Sequence, residues 1–282
     1  MANLQVLKSR IVSIEKTASI TKAMYQIASS KLVSAQNAFT QYNQFKSAFD
    51  EVLNDVFKTT ENNIFLNKDN RSKNKLFIII STDRGLVGAY NQQLFKQFLD
   101  HIKDMDKNNV FVIAIGRRAF AFTNKEKLNR LNQEVILNHD DVNEATLGDY
   151  IDDLVELYVN NYYGEISVFS NKFINSMTQK PENEILLPID IKSKVNQIAH
   201  DPYFYEGSKT DTLNDLIMIY IQSRLYGLLV DAKLSEYSSR IMAMKSATDN
   251  ANEALEKLSL KYHQARQHKI TNELLDISNS KL

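Results

Sequence analysis

Five histidines, seven glycines and no cysteine set the chemistry that this 282-residue chain can attempt. Without cysteine, disulfides, thiol nucleophiles and thiolate-ligated metals are excluded. His101, His139, His200, His263 and His268 fall in no H-E-x-x-H or other clustered ligand spacing. His263 and His268 share one helical stretch and read as solvated or packing residues. His139-Asp140-Asp141 puts three polar groups in a row, for which a polar loop is the ordinary reading and a metal site the exception. There is no G-x-S-x-G elbow to present a serine nucleophile. Phosphate cradles need G-x-x-x-x-G-K-[ST] or G-x-G-x-x-G, and the chain offers only Gly85-x-x-Gly88 after an apolar run. A tight strand-to-helix turn explains that spacing, with Asp83 and Arg84 pairing locally or capping the helix that follows. These residues amount to no catalytic, cofactor or metal site, and the chain reads as one without an enzymatic activity of its own.

The elements that would carry any other function are written in the helix breakers. Every glycine lies between Gly85 and Gly227, and Pro181, Pro188 and Pro202 are the only prolines. Gly and Pro cost a helix interior about 1 and about 3 kcal/mol relative to Ala. Two breaker-free ends around a breaker-containing middle predict long helices flanking a compact domain. With Leu4 at heptad position a, the a set is Leu4, Ile11, Ala18, Tyr25, Leu32, Phe39, Lys46 and Leu53. The d set is Leu7, Ile14, Thr21, Ala28, Ala35, Tyr42, Phe49 and Val56. Only Thr21 and Lys46 are neither apolar nor aromatic, and so sustained a seam is a coiled-coil pattern. Near the other end, Thr212 with Asp215 three residues on marks a helix start, and the stripe continues through Leu216, Ile217, Tyr220, Ile221 and Leu225. It resumes as Tyr237, Ile241, Met244, Thr248, Ala251, Leu255, Leu258, Tyr262 and Ala265. Each stripe needs a partner, and the nearest is the other end of the same chain. The expected arrangement is a long antiparallel coiled coil of helices within 1–60 and 211–278.

Between them, 74–195 reads as an α/β domain. Leu76–Ile80 and Val110–Ile115 are strand-length apolar runs, Ile166–Phe169 a third strand, Val135–Leu137 a weaker one and Ile185–Leu187 an edge strand before Pro188. Helices are expected at Tyr90–Ile102, Arg117–Phe122 and Thr146–Tyr163. Strand and helix in alternation imply a mostly parallel sheet. Charge is balanced, 34 basic against 34 acidic side chains, which argues against a nucleic-acid binder. No apolar run approaches the roughly 18 residues of a membrane span, and Met1-Ala2-Asn3-Leu4-Gln5 shows no signal-peptide core.

Particular residues then resemble a family. Arg240-Ile-Met-Ala-Met-Lys-Ser-Ala-Thr-Asp-Asn-Ala-Asn-Glu253, Ala265-Arg266-Gln267 and Ile270-Thr271-x-Glu273 are similar to the γ subunit of F-type ATP synthases. So are Met1-Ala2-Asn3-Leu4, Ile20-Thr21-Lys22-Ala23-Met24 with Ala35-Gln36, and Asp83-Arg84-Gly85-Leu86 with Gly88 and Asn91. The resemblance implies a central rotary shaft coupling rotation to ATP synthesis or hydrolysis at a ring of three α and three β subunits. It implies a Rossmann-like middle domain holding no nucleotide, meeting the ε subunit and the membrane ring of c subunits. It further implies a peripheral place on the cytoplasmic face of a bacterial membrane. Contacts with the β ring would map onto Met24, Arg266, Gln267, Thr271 and Glu273, with Lys22 and Lys31 facing acidic β segments. Three departures motivate an alternative, one being Val87 and Ala89 where the family often has smaller or sulfur-bearing residues. Ser280-Lys281 stands where the family ends in Gly-Ala, and Tyr25–Ser30 with Val33-Ser34 is less basic than usual. The alternative is a γ-like shaft of a specialised F1-like ATPase doing mechanical work without a proton-translocating c ring.

Overall fold

The computed structural model describes residues 2–58, 64–65, 72–138, 144–189 and 209–279. His139, Asp140, Asp141, His200, Pro202, Ser280 and Lys281 lie outside them. Two helices dominate the element order: α1, Ala2–Lys58 with 57 residues, and α5, Lys209–Asn279 with 71. Between them come β1 (Lys75–Ile80), α2 (Tyr90–Ile102), β2 (Val110–Ile115), α3 (Arg117–Lys125), β3 (Asn129–Arg130), α4 (Glu144–Val159), β4 (Glu165–Asn175) and β5 (Thr178–Leu187). The chain is already helical at Lys209, ahead of the expected start at Thr212. By their contacts the residues form two compact units, Met1–Ser30 with Arg240–Leu282, and Lys31–Ser239.

The first unit pairs the start of α1 with the end of α5. Of its expected seam residues Thr21, Ala28, Met244 and Ala251 are buried, and Leu4, Leu7, Ile11, Ile14, Ala18, Leu255, Leu258, Tyr262 and Ala265 half-buried. Two helices alone cover no more than one stripe of each other, so partial burial is the expected result. Thr21 is not a flaw in the seam. Its hydroxyl donates to the Ala18 carbonyl at 3.1 Å, and lies 2.7 Å from the hydroxyl of Thr248 across the pair. The buried polar layer is thereby satisfied, as burial without a hydrogen bond would be costly. Tyr25 is more exposed than its seam neighbours, at 37 %, while the adjacent Met24 is half-buried.

The second unit is built on one five-stranded sheet of order β3-β2-β1-β4-β5, parallel except for the antiparallel edge pair β4 and β5. β1 is central and sends alternate side chains to two cores. Leu76, Ile78 and Ile80 face Ile151, Leu154 and Tyr158 of α4, Ile217, Ile221, Leu225 and Leu229 of α5, and Leu53 and Val56 of α1. Phe77 and Ile79 face Leu94 and Phe98 of α2 and Ala119 and Phe122 of α3. The strand expected at Val135–Leu137 is a single bridge, Ile115 to Ile136, and the edge strand beyond β2 is Asn129–Arg130 instead. Asn132 decides this: its side chain accepts from the Ala114 amide at 2.9 Å and donates to the Ala114 carbonyl at 3.1 Å, ending the ladder after two residues. β4 and β5 are longer than expected, and Pro181 sits on β5, where an outer edge tolerates its missing N–H.

In this unit Tyr42 of α1 packs directly onto Gly227 of α5. A Cβ there would lie 1.9 Å from the Tyr42 ring, while Tyr42 also meets Tyr226 edge-on with centroids 6.2 Å apart. Gly227→Ala gains about 1 kcal/mol of helix propensity against about 1–3 kcal/mol for overpacking. At so short a distance the second effect wins. The expected outcome is a lower urea midpoint, restored when Tyr42→Leu is added. A double-mutant cycle with no coupling between the two positions would contradict this packing.

Candidate partner interface

Open α/β sheets take ligands at the carboxyl ends of the strands where the strand order reverses. Here that crevice, between the ends of β1 and β4, is filled by the chain itself. The Tyr90 hydroxyl donates to the Ala232 carbonyl at 3.0 Å, and the Asn171 amide donates to the Tyr90 carbonyl at 3.4 Å. Lys233 Nζ donates to the Asn138 carbonyl, and the Ser239 hydroxyl to the Val87 carbonyl at 3.0 Å. α5 is buried on every side from Ala232 to Ser238, Lys233 and Glu236 included. A helix buried all round needs surroundings on all faces, and the strand ends and their loops supply them. The space that a nucleotide takes in related folds holds α5 and Tyr90.

The glycine turn after β1 is tied to a second helix besides α2. Asp83 caps a helix, but not the one that follows it: its carboxylate accepts from the Arg117 amide at 3.1 Å, at the start of α3. The parallel register of β1 and β2, Ile80 beside Ile115, brings these distant segments together. Leu86 has φ of 63° and is 58 % exposed at the loop's apex, a conformation that costs a branched residue of order 1 kcal/mol. Arg84, Arg117 and Arg118 are exposed around it. A Cβ on Gly85 would lie 2.7 Å from the Arg118 guanidinium. The Arg117-Arg118 pair was legible in the sequence as a charge pair, though not its place beside this loop.

The residues assigned from resemblance do not form one patch. On α5, Arg266, Gln267, Thr271 and Glu273 are exposed within two turns of one another. The Thr271 hydroxyl donates to the Gln267 carbonyl at 2.9 Å, and Glu273 pairs with Lys269 at 3.3 Å. Arg266 has no ion-pair partner among the described residues. On α1, Lys22 is exposed and Met24 half-buried. With Thr21 opposite Thr248, antiparallel pairing sets Met24 beside residue 245, roughly 30 Å along α5 from Arg266 at 1.5 Å per residue. Lys31 is exposed and belongs to the sheet-bearing unit.

Sequence reasoning passed over the apolar surface of the first unit. Val6, Ile20 and Ile27, whole heptads apart on α1, are exposed, as are Ile270, Leu274 and Leu275 at the end of α5. These are exposed large aliphatic side chains that the two-helix unit offers for a contact. The signal was available on α1 as a repeat at heptad position c, away from the a/d seam. Among the described residues no group of acidic, histidine or cysteine side chains could hold a metal, and no helix is long and apolar enough to cross a membrane.

The family model described as ATP synthase matches residues 3–280. The chain is 34 % identical over 281 residues to the ATP synthase gamma chain of Christiangramia forsetii, covering 98 % of this chain and 97 % of that one. It belongs to the ATP synthase gamma-chain family. The gamma chain of Mycoplasma capricolum subsp. capricolum is 32 % identical over 280 residues, with 98 % and 97 % covered. The fold is that of a central-stalk chain from the Tetrahymena thermophila mitochondrial ATP synthase, with TM-score 0.61, 20 % identity, and 81 % of this chain and 99 % of that chain covered. A chain of the Euglena gracilis mitochondrial ATP synthase superposes with TM-score 0.68 at 19 % identity over 99 % and 93 %. A gamma chain is a subunit of the synthase and not itself the catalytic one.

Proposed function

We propose that this gamma chain is the central rotary shaft of an F1-type ATP synthase. Its two-helix unit works inside a ring of three α and three β subunits. Its sheet-bearing unit meets ε and the membrane c ring, and the complex holds it peripherally on the cytoplasmic face of a bacterial membrane. In this reading 1–60 and 211–278 serve as the rod-forming segments and 74–195 as the head. The match to ATP synthase gamma chains over nearly the whole chain carries it, and the exposed aliphatic side chains of the two-helix unit fit it. A turning shaft acts by differential contact. The face it presents favours one conformation of the β subunit it touches, and rotation passes that preference to the next. Arg266, Gln267, Thr271, Glu273, Lys22, Lys31 and Met24 are the side chains we assign to those contacts.

The test is co-expression with the α and β subunits of the same organism, read by native mass spectrometry and by ATP turnover. One copy of this chain per three αβ pairs, with turnover lost on its omission, is expected. Particles purified from the native membrane should further contain ε and c subunits. An αβ ring that assembles and turns over equally well without the chain would end the shaft reading. Native particles with α and β but no c ring would instead identify the specialised motor.

A further inference from the structure

The outer half of the β4–β5 hairpin reaches past the sheet and is held by both long helices. The Phe173 ring of β4 meets Phe39 of α1 edge-on, with centroids 6.4 Å apart. The Phe173 amide donates at 2.7 Å to the carboxylate of Asp231 on α5. Further along the ladder, opposite Val168, Glu184 of β5 is paired with Arg224 of α5. The charges facing Asp231 come from each neighbouring element: Lys172 of β4, Glu182 of β5 and Lys46 of α1. Lys172 and Glu182 are themselves paired at 2.9 Å across the hairpin. Behind Lys46 stand Asp50 of α1 and Arg224. Asp231 is therefore a half-buried carboxyl at a three-way junction.

We propose that Asp231 is a proton-operated clasp: protonated, it keeps the outer β4–β5 hairpin shut on α1 and α5, and ionised, it lets that half open more often. Burial is the larger influence on this carboxyl and raises it from 3.8 to about 6, with Glu182 acting in the same direction. The Phe173 amide, Lys172 and Lys46 pull it back down without cancelling the burial. Opening hydrates the carboxyl and returns it to its ordinary value. The closed form therefore holds its proton more tightly than the open form, and closure is favoured at low pH. That preference is lost as pH rises from about 4 to about 6. The clasp concerns the chain alone and stands or falls independently of the shaft reading.

Hydrogen exchange of the Phe173 amide in the full-length chain, corrected for the intrinsic rate at each pH, reads the opening directly. Between pH 4.5 and 7.5 opening is expected to rise about 25-fold in the unaltered chain. In Asp231→Asn, whose side-chain oxygen still accepts the amide, it should be flat. Lys46→Met removes a cation that favours the ionised form, so its transition should move to higher pH. A flat profile in the unaltered chain, or an equal rise in Asp231→Asn, would overturn the proposal. Should Asp231→Asn not fold, the Lys46→Met shift decides, and an unmoved transition counts against the clasp.

Discussion

Alanine at Gly116 is expected to cost about 3–5 kcal/mol, a large share of the roughly 5–15 kcal/mol that holds a domain together. Two penalties add. The residue has φ of 90° and ψ of 144°, a region that is close to glycine-only and costs a side chain about 1–3 kcal/mol. A Cβ would also lie 2.5 Å from the Ser81 carbonyl oxygen and 2.7 Å from its hydroxyl. Neither can retreat. The Ser81 hydroxyl donates to the Ile115 carbonyl at 3.0 Å and accepts from the Ala119 amide at 2.7 Å. The Ser81 carbonyl accepts from the Asn138 side chain at 2.9 Å, and the Gly116 amide donates to the Ile136 carbonyl at 2.7 Å. One methyl group thus opposes the junction of β1, β2 and α3. Urea unfolding followed by circular dichroism checks it, and a loss under 1 kcal/mol would show the junction to be slack. Ser81→Ala should not rescue the variant, because the closest atom belongs to the backbone.

Arg266→Ala is expected to leave the isolated chain intact and to slow the assembled motor about 10- to 100-fold. The side chain is exposed and makes no ion pair among the described residues, so its loss should move chain stability by no more than about 0.5 kcal/mol. A charge-assisted hydrogen bond to a partner carboxylate is worth about 1.5–3 kcal/mol, which corresponds to that range of rates if the bond forms in the rate-limiting state. Arg266→Lys keeps the charge but not the planar fork, and should recover a part of the loss. Steady-state ATP turnover of the reconstituted αβ ring measures it. Turnover unchanged in Arg266→Ala, with assembly intact, removes Arg266 from the contact set.

Much of this was legible before the fold was seen, and the failures have local causes. The a/d seam was readable because a heptad leaves an unbroken record along one strand of sequence, and Ala28, Tyr42, Leu53 and Val56 are buried where it put them. Tyr25, also at position a, stays 37 % exposed, because a two-helix pair covers only one stripe and leaves part of a large ring uncovered. β3 was missed because two residues, Asn129 and Arg130, have no periodicity to read. The position of Asp83 on α3 followed from the parallel pairing of β1 with β2, which no spacing within the loop encodes. The exposed heptad of Val6, Ile20 and Ile27 was present as a pattern, but only burial separates it from the true seam.

By itself, the order of residues determined which segments are long helices, which are buried strands and that no catalytic motif is present. Helix and strand periods, breakers and motifs are all short-range properties, and a single chain displays them in full. Family membership was equally determined, since the runs around Arg240–Glu253 and Arg266–Glu273 are contiguous. Tertiary structure alone decided that α5 would fill the strand-end crevice through Tyr90 and Lys233. It alone set Gly227 against Tyr42, paired Thr21 with Thr248, and brought Asp231 to the amide of Phe173. These contacts join residues tens to hundreds of positions apart. Their energies depend on burial and on partners, and neither exists until the chain has closed on itself.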